Sequence, residues 1–216
     1  MAVHQVETLF AAYLEKADLS NKQKAVLSAC LSLFSEQGFE RTSTSAIARR
    51  AGVSEGTVYK HFKSKTELLD ALLEPLSHRV VPQAASEFID EVHPEQFEHL
   101  EDLLRFVIHD RLAFAINNRA VIRVFVQEVF VRSDLLQVGV NAIFGQFALG
   151  FGSAIQHFQA THELVDWSSL RLLRTIAGSI VGYVLPVVMM PDGTYPFDID
   201  QATDELVESL LKTLTP

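Results

Sequence analysis

Residues 41–65 read RTSTSAIARRAGVSEGTVYKHFKSK. The spacing predicts two short helices separated by Ala51-Gly52-Val53-Ser54. Ile47, Val53, Val58 and Phe62 are apolar at the spacing of a helix-turn-helix core. Ala48 and Ala51 are small enough for two helices to cross closely. Gly52 stands where the turn needs a positive φ, which glycine adopts without strain. Ser54 is a natural N-cap for the second helix. That helix presents Thr57, Tyr59, Lys60 and His61, most of them too polar for a core.

Charge sets this stretch apart. It holds six basic side chains (Arg41, Arg49, Arg50, Lys60, Lys63 and Lys65) and one acid, Glu55. The other residues hold 12 basic and 26 acidic side chains, and the whole chain of 216 residues carries −9. A globally acidic surface disfavours indiscriminate nucleic-acid binding, so any DNA contact must come from this local basic patch. A solvated basic hairpin is the bland alternative for the charge alone.

Outward from this stretch the chain reads as a row of helices. Val3, Val6, Phe10, Tyr13, Leu14 and Ala17 recur at helical spacing and predict an extra helix in residues 1–19. Ser20-x-x-Gln23 is a capping box. The following stripe of Val26, Ala29, Cys30, Leu33 and Phe34 ends at Gly38, where a left-handed residue is expected. Thr66–Leu76 is helical, and Pro75 and Pro82 predict a kink or break after it. Phe97, Leu100, Leu104, Val107, Ile108 and Leu112 mark a longer helix. Val121–Val131 is rich in β-branched residues but has no strand partner, so it is read as helix. Leu135–Ala160, Trp167–Val188 and Asp200–Leu214 complete the row, with a turn at Pro191-Asp192-Gly193.

Leu135–His162 and Thr175–Pro191 contain no charged residue. Polar residues interrupt the first, which is read as a buried central helix, and the second is 17 residues long and broken by Pro186, so the chain is read as soluble and cytoplasmic, with no membrane partner. One cysteine excludes a disulfide framework. His157 and His162, or His93 and His99, are spaced too far apart to put both rings on one helical face, so no metal or other cofactor is expected.

The string Thr44-x-x-Ile47-Ala48-x-x-Ala51-Gly52-Val53-Ser54-x-Gly56-Thr57-Val58-Tyr59-x-His61-Phe62, followed by Ser64-Lys65-x-x-Leu68, closely resembles the DNA-binding domain of the TetR family of transcriptional regulators. The resemblance implies an all-α protein. Residues 20–66 would form a three-helix helix-turn-helix domain, and 67–216 a larger helical domain for ligand binding and dimerisation. It implies a ligand-released repressor that binds a palindromic double-stranded DNA operator as a homodimer, and no enzyme. Thr44, Tyr59, His61 and Lys65 are then expected at phosphates. Ser45, Glu55, Gly56, Thr57 and Lys60 are expected to face bases, with Ser54 beside them. Glu55 has two readings: an acceptor for a cytosine amino group, or a favourable carboxylate at a helix N-terminus.

In the family the remaining helices bind a small molecule. Phe144, Phe147, Phe151 and Phe158 share one stripe, with Gly145, Gly150 and Gly152 beside them. The stripe reads either as core or as a pocket wall. Arg105, His109, Phe125, Phe144, Phe147 and Phe151 are the candidate contacts for a largely apolar effector. Gly178 and Gly182, four apart, predict close approach of a second copy, with Ile180, Val184 and Leu206 adding apolar area. The rival classes are a helical enzyme, for which no phosphate loop or nucleophile elbow is present, and an adaptor that binds protein through the basic hairpin.

Overall fold

Cys30 lies in the middle of the helix that organises the first part of the chain, and nothing of it is exposed. The structure is a computed structural model and describes residues 5–93, 96–129, 133–190 and 194–216. The side chains of 129, 133–136, 138–144, 146, 148 and 149 lie outside that description. The helices are α1 (Val6–Lys16), α2 (Asn21–Gln37), α3 (Thr44–Ala51), α4 (Glu55–His61), α5 (Lys65–Pro75), α6 (Val81–Glu91), α7 (Leu100–Asn117), α8 (Arg119–Val129), α9 (Ser133–Ala160), α10 (Ser169–Met189) and α11 (Ile199–Leu214). No strand occurs among the described residues. The fold is all-α, as expected.

Two compact units divide the chain. One comprises residues 4–84 and 120–139; the other comprises 85–119 and 140–216. In the first, α2 is the spine. Its capping box forms as the spacing predicts: Gln23 N–H donates to Ser20 Oγ, and Ser20 N–H donates to Gln23 Oε1. Val26, Ala29, Cys30, Leu33 and Phe34 are all buried. α2 touches α1, α3, α4 and α5. The extra helix α1 buries Val6, Phe10 and Leu14; Val3 lies outside the described residues.

Two local expectations are corrected. Gly38 does have a positive φ of 84°, but its ψ of 159° is extended rather than left-handed helical. That region is open essentially to glycine alone. Of the kink or break expected after Pro75 and Pro82, the break does not occur. Helix continues from α5 through a π turn at Leu76–Val80 into α6. A π turn shifts the hydrogen-bond ladder by one residue, which accommodates a missing proline donor without ending the helix.

The second unit is built on α7 and α11, which pack along each other. Leu104, Ile108 and Leu112 of α7 meet Leu206, Leu210 and Leu214 of α11 in one core with Phe88, Phe151, Phe158 and Leu172. The Glu163 carboxylate accepts from Leu100 N–H and caps α7. Gly150 makes room for a neighbour: a Cβ there would lie 2.5 Å from the Ile89 side chain. Leu206, placed at a dimer face by its spacing, is buried in its own subunit instead. The α11 stripe that carries it is the one that packs on α7.

The helix α10 is the one described helix long and apolar enough to cross a membrane, and 22% of its apolar window is buried. Most of that window is therefore not buried within the subunit. Gly178, Val181, Gly182, Leu185 and Met189 form an exposed apolar stripe, while Ile180 and Val184 pack half-buried against the core. The Pro191–Gly193 turn lies outside the described residues.

Burial pushes the Cys30 thiol up to about 12. Its thiolate is therefore almost absent at neutral pH. Folded protein treated with iodoacetamide at pH 8 is expected to stay unmodified over hours and to react fully once unfolded in guanidinium. Mass spectrometry checks both; rapid alkylation of the folded chain contradicts the buried placement.

Candidate nucleic-acid interface

Three serines place the two short helices. Ser43 Oγ accepts from Ala46 N–H at the start of α3. Ser54 Oγ accepts from Thr57 N–H at the start of α4. Ser64 Oγ accepts from Glu67 N–H at the start of α5. Each cap satisfies a backbone donor that the first helical turn leaves unpaired. Between α3 and α4 the chain turns at Gly52, with φ 68° and ψ 30°, the left-handed conformation expected there. Ile47, Ala48, Val58 and Phe62 are buried, and Val53 is half-buried. The apolar side of α4 is thus spent on the core, and its other side is turned to solvent.

The expected residues lie on α3, α4 and the start of α5. Ser45, Ser54, Glu55, Gly56, Tyr59 and Lys60 are exposed; Thr44, Thr57, His61 and Lys65 are half-buried. Ser54 does double duty, since its hydroxyl also lies 2.9 Å from Thr57 Oγ1. Thr44, Glu55 and Tyr59 come together. Thr44 Oγ1 donates to the Glu55 carboxylate at 2.7 Å and lies 3.1 Å from the Tyr59 hydroxyl. Lys65 is held in place twice: its ammonium donates to Glu40 O at 3.1 Å and sits 4.2 Å from the centre of the Phe39 ring. Gly56 meets nothing closer than 3.9 Å where a Cβ would be. A glycine costs a helix about 0.5–1 kcal/mol relative to alanine, and no neighbour inside the protein requires it at this position.

One residue of the basic stretch is not free for DNA. Arg50 donates two hydrogen bonds to Glu36, at 2.8 and 2.9 Å, and one to Ser32 at 2.7 Å. The Arg50 bond chiefly, and the Ser32 bond after it, hold the Glu36 carboxyl down at about 2. This clamp ties the end of α3 to α2. In the charge pattern Arg50 counts only as one more positive side chain. The signal for the clamp is Ser32 and Glu36, four apart on the outer face of α2 and so on one side of the helix.

The residues proposed for an effector are not drawn to one point. Arg105 pairs with Asp204 and Glu101, and His109 Nε2 lies 3.3 Å from Asp200. With Phe106, Asp200, Thr203 and Asp204 they line an open surface cleft of about 380 Å³. Phe147 and Phe151 instead stack in the core, ring centres 5.3 Å apart. Phe125 is half-buried on α8, and the Phe144 side chain lies outside the described residues. A half-buried cation that no sequence pattern marks lies nearby in the chain. The Arg111 guanidinium pairs with Asp110 and stacks 3.6 Å from the centre of the Phe88 ring. No group of three or more potential metal ligands occurs among the described residues.

Residues 26–72 match the family model for bacterial regulatory proteins of the tetR family. The chain is 26% identical over 172 residues to the nucleoid occlusion factor SlmA of Glaesserella parasuis serovar 5 (strain SH0165), spanning 79% of this chain and 80% of that protein. Its fold is that of the transcriptional regulator FadR from Bacillus subtilis, solved in complex with stearoyl-CoA (TM-score 0.57, 22% identity, 87% of this chain and 96% of that one). It is also that of the fatty acid degradation regulator FadR from Bacillus halodurans (TM-score 0.61, 17% identity, 90% and 97%). The family match falls on the two capped helices and the α2 spine that positions them: residues 26–72 carry the N-terminal domain of the tetR family of bacterial regulatory proteins.

Proposed function

We propose that this regulator is a repressor that binds a palindromic operator as a homodimer in the cytoplasm and is released by a small, largely apolar effector. The observation that carries the DNA side of this reading is the division of α4. One face is fully spent on the core at Val58, and the other offers polar side chains and a glycine that no internal contact explains. A helix with that division suits the major groove, where bare backbone at Gly56 lets the helix approach closely. Lys60 and Lys65 supply sequence-independent attraction to phosphate.

The exposed α10 stripe supports the dimer. A second copy packed against Gly178, Val181, Gly182 and Leu185 would bury apolar surface that one subunit leaves in water. Two copies carry two reading heads, and matched half-sites then sit about 34–36 Å, or multiples of it, apart. The effector class rests on the aromatic side chains of α9, Phe147 and Phe151 among them, and on the long-chain thioester held by the Bacillus subtilis relative of the fold. Release requires an effector that prefers a conformation with the heads wrongly spaced. The likeness to nucleoid occlusion factors favours a second reading, in which the chain acts in nucleoid occlusion rather than at a promoter. Mapping the bound sites across the chromosome separates the two.

Two substitutions test the groove assignment. Lys65→Ala is expected to weaken operator and scrambled duplexes alike and to lower the salt slope by about one per subunit. Thr57→Ala is expected to leave the slope nearly unchanged and to cost roughly 1–3 kcal/mol on the operator only. Affinity measured against salt concentration for both duplexes decides. Equal loss on both duplexes for Thr57→Ala makes Thr57 a backbone contact; no loss for either variant removes this segment from the interface.

The dimer has its own test. Gly182→Arg puts a long charged side chain into the α10 stripe and is expected to give monomers that no longer hold the operator. Sedimentation velocity reads the mass. A variant that stays dimeric places the subunit interface elsewhere.

A further inference from the structure

The Glu55 carboxylate is not used as the cap of its own helix. Ser54 already accepts from the first-turn amide of α4. Glu55 turns instead across to α3, where Thr44 Oγ1 donates to it at 2.7 Å. Thr44 Oγ1 also lies 3.1 Å from the Tyr59 hydroxyl. A hydroxyl has one proton to give, and a carboxylate only accepts. Since Thr44 spends its proton on Glu55, the contact between Thr44 and Tyr59 must be donated by Tyr59. The chain of donation therefore runs Tyr59 to Thr44 to Glu55, and both hydroxyl protons are committed toward the carboxylate. The assembly is not a buried structural network: Tyr59 is 48% exposed, and Glu55 is exposed.

Thr44 and Tyr59 are the hydroxyls assigned above to phosphate, and a phosphate oxygen is also an acceptor. It competes with Glu55 for the same two protons, and it brings a like charge beside the carboxylate. We propose that Glu55 is a specificity-determining residue that withholds these two hydroxyls from DNA until its carboxylate finds another donor. In the major groove that donor is the N4 amino group of cytosine, which glutamate accepts from. On a cognate site the carboxylate swings to the base, and Thr44 and Tyr59 turn their protons to the backbone. On other DNA the carboxylate keeps both hydroxyls engaged and repels the phosphate. One side chain thus links base reading to backbone grip. This inference rests on the DNA-binding reading of α3 and α4 and adds the coupling between them.

The test uses the full-length protein, a duplex enriched by it from a random pool, and a scrambled duplex of the same composition. Glu55→Gln keeps the size and removes the charge. It is expected to tighten the scrambled duplex about 5–30-fold, the range of a one to two kcal/mol contact, without tightening the enriched duplex in step. A pool enriched by Glu55→Gln is expected to lose preference at a C·G pair that the wild type selects. Tyr59→Phe is expected to weaken the enriched duplex and to leave the scrambled duplex nearly unchanged. In the Glu55→Gln/Tyr59→Phe double variant the gain on scrambled DNA is expected to shrink to less than half on a logarithmic scale, because the hydroxyl to be released is gone. Unchanged affinities in Glu55→Gln, equal weakening of both duplexes, or an undiminished gain in the double variant overturns the proposal. A wild-type protein that enriches no duplex overturns the DNA reading itself, whereas an enriched duplex indifferent to Glu55→Gln overturns the coupling alone.

Discussion

Burial of one stripe on α2 is the constraint on which the DNA-binding part of the protein depends. α3 and α4 are eight and seven residues long. Isolated helices shorter than about 12–15 residues are marginal in water, because the cost of the first turn is not recovered. Here the cost is recovered by packing. Ile47 and Val58 are wholly buried, and both short helices touch α2. The three serine caps and the left-handed Gly52 then set where each helix starts and how the chain turns. The outward face of α4 is polar because its inward face has already been used.

Most of this is legible in the amino-acid sequence. The capping box at Ser20, the Gly52 turn, the Ser54 cap and the buried set around Val58 each rest on contacts within a few residues, and the spacing of residue types shows them directly. What the spacing does not show depends on partners far apart in the chain. The Arg50–Glu36–Ser32 clamp, the turn of Glu55 toward Thr44, and the burial of Leu206 against α7 are all set by packing between helices. Leu206 is the clearest case. Its spacing marks an apolar face, but spacing alone does not say whether that face meets α7 or a second copy. The prolines at 75 and 82 mark the irregularity but not its form, since a π turn accommodates a missing donor without ending the helix.

Charge is used economically. The chain as a whole is acidic, and its cations concentrate where α3 and α4 present themselves. Even there they differ in employment: Arg50 holds α3 to α2, Lys65 is braced on Phe39, and Glu55 is the lone acid of the stretch. The larger helical part spends its apolar residues on a core between α7 and α11 and leaves one stripe of α10 uncovered.

The claim that α4 exists by virtue of its packing on α2 is tested most directly by hydrogen exchange. Amide exchange across residues 20–75 is compared in the wild type and in Val58→Ala. The account predicts that removing the Val58 methyl groups sharply lowers protection in α4 and the adjoining end of α3, with α7 and α11 unchanged. Full protection of α4 in Val58→Ala would mean that the helix holds itself together, and would contradict the account.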